Sequence, residues 1–174
     1  MEGADILATM AQIAVGLAGF SGIVVVLGHP SARWMPIQIF RIAILLALSL
    51  GAMTLAIVPS ALFLTGLRDS AMWRLASALL AAFSAVLLIV ITPLTLRFRN
   101  QFPEIFNSAI LSTLAGGHIF NCAVQAAVAA GAFERQRVGL YVLGLLWLLL
   151  HGAYQFVRLL FIPLKSERLS QPAD

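Results

Sequence analysis

Apolar residues fall into five long runs along the chain, near positions 5–28, 37–66, 70–97, 105–131 and 137–163. Each reaches the ~20 residues that a helix needs to cross a hydrocarbon core. The interruptions carry helix-stopping chemistry: "GHPSARWMP" has a glycine and two prolines, "TGLRDS" offers Asp69 or Ser70 as an N-cap, and "RFRNQFPE" and "GAFERQR" add charge and turn residues. Linkers this short make consecutive helices antiparallel neighbours. The pattern predicts one domain over residues 1–174, an all-α integral membrane bundle of five transmembrane helices.

Composition sharpens this picture. Of 174 residues, 61% are hydrophobic and 10% charged, against roughly a quarter charged in soluble domains; the mean hydropathy is +0.98. The formal charge of +4 does not suggest a nucleic-acid surface, because the arginines sit singly at helix ends rather than on one patch. Cys122 is the single cysteine, which excludes disulfide oxidases that need cysteine pairs. An acidic start, "MEGADILATM", is unlike a cleaved signal.

With five spans the termini face opposite sides. One side holds Arg68, Arg74, Arg135 and Arg137; the other holds Arg33, Arg41, Arg97, Arg99, Arg158, Lys165 and Arg168. The positive-inside rule then places the N-terminus outside and the C-terminus in the cytoplasm. Trp34 and Trp73 are expected in the interfacial belt, and Arg41 and Arg158 are expected to snorkel toward water.

Helix 1 is glycine-rich where it reads "QIAVGLAGFSGIVVVLG". Ala14, Ala18 and Gly22, with Gly16 and Gly19, make a smooth surface that predicts close packing at the bundle centre. A second stripe, Glu2, Asp5, Thr9, Gln12, Gly16, Gly19, Ile23 and Val26, repeats at threes and fours. Around an oligomer axis it would line a pore with an acidic mouth and an apolar constriction.

Deep inside the spans there is no Asp, Glu or Lys, which counts against carboxylate-driven transport and aspartyl proteolysis. Polar groups gather elsewhere. In "GGHIFNCAVQ", His118, Asn121, Cys122 and Gln125 share one helix face; in "HGAYQFVR", His151, Gln155 and Arg158 share another. The two histidines fall at similar depth, so the faces join into a polar path. Interhelical hydrogen bonding, a hydrated route for protons or small solutes, and haem held by His118 and His151 are the competing uses. Copper at His118 and Cys122 lacks further ligands.

Pro59 and Pro93 interrupt helices 2 and 3, with Ser60 and Thr92 adjacent to satisfy freed carbonyls. No G-x-S-x-G elbow is present, so no serine enzyme is expected. "LAGFSGIVVVL", a tryptophan-bearing loop and "MWRLAS" resemble a group of small bacterial multi-pass membrane proteins. That resemblance implies a bacterial inner-membrane setting and carries no activity. The functional expectation is an oligomeric pore or permeation path for a cation, proton or small solute, without a cofactor. The alternative is a non-catalytic subunit that docks a membrane partner, or its own copy, through helix 1.

Overall fold

The computed structural model describes residues 3–28, 36–101, 103 and 107–161, with side chains given for all of these except 24–28 and 161. Glu2, Arg33, Trp34, Lys165 and Arg168, and the side chain of Val26, lie outside that description. Five helices follow in order: α1 (Ala4–Gly28), α2 (Pro36–Leu64), α3 (Asp69–Gln101), α4 (Ser108–Ala129) and α5 (Arg137–Phe161). No strand occurs among the described residues. Four of the helices, α1, α2, α3 and α5, are long and apolar enough to cross a membrane. The remaining helix, α4, is 22 residues long but is diluted by His118, Asn121 and Gln125.

Local chemistry sets the helix ends. Gly66, at φ +77°, closes α2 in the left-handed conformation that glycine adopts without penalty. Asn107 is the N-cap of α4, its side chain accepting from the Ala109 N–H at 2.8 Å. The start of α4 is therefore Ser108 rather than 105. Helix α3 runs four residues beyond the expected 97, to Gln101, because no proline or glycine intervenes before Pro103.

Consecutive helices pack antiparallel, and α5 touches all four others. The core is built from Ile44, Leu48 and Leu55 of α2, Met72, Trp73 and Leu80 of α3, and Tyr141, Leu145 and Leu148 of α5. Two expectations are corrected here. Helix α1 is peripheral, touching α2 and α5, and it packs through Leu7, Ala14 and Ser21 with Met10, Ala11 and Leu17 beside them. A Cβ added at Gly16, Gly19 or Gly22 would meet nothing within 4 Å, so the glycines are not its packing face. Trp73 is 1% exposed, set edge-on to Tyr141 with ring centroids 5.6 Å apart. It is a core residue rather than a belt residue.

Large apolar side chains cover the outside instead: Leu64, Ile89, Phe120, Phe20 and Leu143 are all well exposed. At the end where α1, α3 and α5 begin, Arg137 joins Asp69 and Glu134, and Arg74 reaches Glu134 at 3.0 Å. The hydrogen bond from Arg74, with the charges of Arg74 and Arg137, holds the Glu134 carboxyl below its ordinary pKa. These pairs are half-exposed, so they fix the register of the α4–α5 turn more than they add stability.

Helix α2 continues through Pro59, whose missing N–H leaves the Leu55 carbonyl without its helical donor. The donor is the Tyr141 hydroxyl of α5, 2.6 Å away, and not the adjacent Ser60 expected from sequence.

Candidate functional site

The polar face of α4 turns inward. Its buried residues are His118, Asn121, Gln125 and Val128, while Ile119 and Phe120 face out. The structure thereby brings together all five candidates of the polar path, His118, Asn121, Gln125, His151 and Gln155, each of them buried. They divide into two halves of different character.

Toward the end where α5 begins, Asn121 donates to Ser84 Oγ at 3.0 Å and lies 3.5 Å from the Gly144 carbonyl, while Gln125 donates to the Leu140 carbonyl at 2.8 Å. Cys122 Sγ points to the Ala81 carbonyl at 3.5 Å. These bonds tie α4 to α3 and α5, and the absence of a side chain at Gly144 is what lets the amides approach. A Cβ there would lie 2.6 Å from both Asn121 Oδ1 and Gln125 Nε2. Leu80, Tyr141 and Leu145 close this half, all fully buried.

Toward the other end the helices part around a cavity of about 220 Å³. It runs from Arg99 and Ser108 inward to His118 and His151, between α2, α3, α4 and α5. Phe40, Ile44, Leu87 and Ile91 make much of its wall; Thr92, Thr95, Ser112 and Gln155 supply neutral polar groups; Arg41, Arg99 and Arg158 supply charge. Arg99 donates to Ser108 Oγ at 2.9 Å. Arg158 lies with its Cζ 5.5 Å from the Tyr154 ring centroid, a cation–π spacing. Arg41 corrects the snorkelling expectation: it is 3% exposed and turns into the bundle.

At the inner end His118 Nε2 and His151 Nδ1 are 2.8 Å apart, and His151 Nε2 is 3.1 Å from Gln155 Nε2. With the amide donating to His151, the His151 ring proton sits on Nδ1 and is donated to His118. Turning the amide over reverses both bonds. The three side chains thus form one hydrogen-bonded chain with two polarities. Two nitrogens opposed across a single metal at ~2.0–2.1 Å each stand ~4 Å apart, wider than the 2.8 Å seen here. In this arrangement the two rings are hydrogen-bonded to each other rather than spaced as opposed axial ligands. Among the described residues, no group of three or more His, Cys, Asp or Glu side chains is placed to hold a metal.

The stripe on α1 lies elsewhere. Asp5, Thr9, Gln12, Gly19 and Ile23 are exposed and Gly16 is half-buried, on the side of α1 turned from the bundle. Thr9 Oγ1 donates back to the Asp5 carbonyl at 2.9 Å. None of the six lines the cavity.

Sequence reasoning missed the cavity's outer wall. Ser108, Ser112 and Ala115 continue the stripe of His118 back toward the start of α4, and Thr92, Thr95 and Arg99 share a face of α3. Comparison of the chain with protein-family models, with curated proteins and with solved structures finds no match.

Proposed function

We propose that the chain is a five-span membrane protein whose cavity is one half of a permeation path for a small polar solute, with the other half closed. The observation that carries this reading is a half-open cavity, largely apolar with polar groups set into its wall, that ends at His118 and His151 near the middle of α4. Solute sites of secondary transporters sit at that depth. Membrane insertion is supported by the apolar exterior, with exposures such as 71% at Phe120, far from what a soluble surface carries. A span by α4 is supported by its partners along the whole of α3, from Arg99 to the Arg74–Glu134 pair. At 1.5 Å per residue its 22 residues reach roughly 33 Å, enough for a ~30 Å core.

The basic residues support an outside N-terminus and a cavity opening to the cytoplasm; the bacterial inner membrane follows from the sequence resemblance alone. Proteoliposomes shocked with a panel of small osmolytes test the function. The reading expects re-swelling faster than in empty vesicles for at least one solute class, abolished by Ala115→Trp, which fills the cavity. Equal rates for every solute, with the protein folded, would overturn it.

One observation favours a second role alongside the first. Gly16, Gly19 and Gly22 face open space, and bare backbone is what close helix contact in lipid needs. Docking of a second copy or a membrane partner on α1 predicts that Gly19→Leu dissociates the assembly without changing monomer stability, as read by cross-linking in lipid. Unchanged assembly would remove this role.

A further inference from the structure

We propose that the solute taken by this cavity is a small uncharged polyol, held along the hydroxyls of Thr92, Thr95 and Ser112. The proposal rests on the permeation reading and names the class of solute. All three residues line the cavity. Outside it, Thr9, Thr65 and Thr113 each turn back and donate to a carbonyl of their own helix. Thr92, Thr95 and Ser112 do not, and among the described residues their hydroxyls have no hydrogen-bond partner. Thr92 and Thr95 are half-buried with their oxygens open to water, and Ser112 is exposed. A free hydroxyl offers one donor and two lone pairs, the same set that a hydroxyl of the solute brings.

Placement points the same way. With Arg99 bonded to Ser108 and Asn121 to Ser84, the antiparallel register sets Thr95 of α3 level with Ser112 of α4. Thr92 lies roughly one turn further in. Phe40 and Ile44 of α2 and Ile91 of α3 add apolar wall to the same cavity. A polyol is two-sided in the same way. Its hydroxyls meet the three side-chain hydroxyls, while its C–H groups cover apolar surface that urea cannot. Arg99 sets a positive charge toward the mouth, which disfavours cations. An anion finds no paired donors on Arg41, whose Nε and Nη2 are sealed within the protein. A volume of about 220 Å³ lies below the roughly 300–1,000 Å³ of pockets for drug-sized ligands. The solute is therefore small.

The test is the re-swelling rate of proteoliposomes shocked with glycerol, erythritol, urea, mannitol or potassium chloride, each less the rate of empty vesicles. The proposal expects the rate for glycerol or erythritol to exceed those for urea, mannitol and the salt by at least about tenfold. Thr95→Val keeps the shape of the side chain and removes its hydroxyl. Combined with Ser112→Ala, it should lower the polyol rate by about tenfold or more. The Thr113 hydroxyl is engaged by the Ala109 carbonyl. Thr113→Val should therefore leave the polyol rate within about twofold.

A urea, mannitol or salt rate equal to the polyol rate, or a polyol rate untouched by the paired Thr95→Val and Ser112→Ala changes, would overturn the proposal. If no solute crosses, the permeation reading fails by itself, and binding to the unmoving protein decides the class. Ala115 lines the cavity, so Ala115→Cys in a Cys122→Ser background reports what occupies it. Erythritol should protect that thiol from a small aqueous reagent, and urea at equal concentration should not. Protection by both or by neither would overturn the proposal. So would a co-purifying acyl lipid, seen by mass spectrometry, that shields the thiol and that erythritol does not displace.

Discussion

Gly144→Ala should destabilise the bundle by about 2–5 kcal/mol, the sum of overpacking at ~1–3 kcal/mol and of one interhelical hydrogen bond at ~0.6–2 kcal/mol. The new methyl group would stand 2.6 Å from Asn121 Oδ1 and Gln125 Nε2 and 2.9 Å from Leu80 Cδ2. Helix α4 would have to leave α5, breaking the Gln125 bond to the Leu140 carbonyl and stranding both amides away from water. Gly139 is the internal comparison, on the same helix with nothing within 4 Å of an added Cβ. Gly139→Ala should change stability by about 0.5 kcal/mol or less. Reversible unfolding in mixed micelles measures both. Equal stabilities for the two variants would mean that α4 does not lie against α5 as described.

The second large effect concerns Pro59 and Tyr141. Tyr141→Phe should cost about 1–3 kcal/mol, because it strips the Leu55 carbonyl of the one donor that replaces the missing proline N–H. The coupling is the sharper part. In a Pro59→Ala background the alanine N–H can close the ordinary helical bond to Leu55, so Tyr141→Phe should then cost less than half as much. A double-mutant cycle on the same unfolding assay reads this directly. Additive costs would show that the hydroxyl and the proline are unrelated.

Why some of this was legible in the sequence and some was not has physical reasons. The helices were, because runs of this length and apolarity have few other uses, and their ends differ from expectation by a few residues only. The inward face of α4 was legible too: His118, Asn121 and Gln125 recur at helical spacing, and polar groups in an apolar exterior have nowhere to go but inward. The stripe's continuation through Ser112 and Ser108 was obscured because serine is common on any membrane helix.

Arg41 misled for a related reason. An arginine in the second turn of a span reads as snorkelling, and nothing local reveals that α3, α4 and α5 draw apart to receive it. The glycines of α1 misled in the opposite sense, since bare backbone permits contact without specifying which side is touched. Trp73 and Tyr141 were hidden by distance along the chain. Their partners lie 68 residues apart in the ring pair (141 − 73) and 86 apart in the hydroxyl bond to Leu55, beyond any local pattern.

The central claim is that water reaches the middle of the bundle from one side and stops at the histidine pair. Cysteine placed at Ala115 and at Leu145, each in a Cys122→Ser background, tests it in intact lipid with a small charged thiol reagent. Ala115 lines the cavity, and Leu145 lies fully buried in the closed half. The account predicts rapid labelling at position 115 and none at 145. Equal protection of both positions in folded protein would contradict it, leaving the helices as a dry bundle whose polar residues serve packing alone.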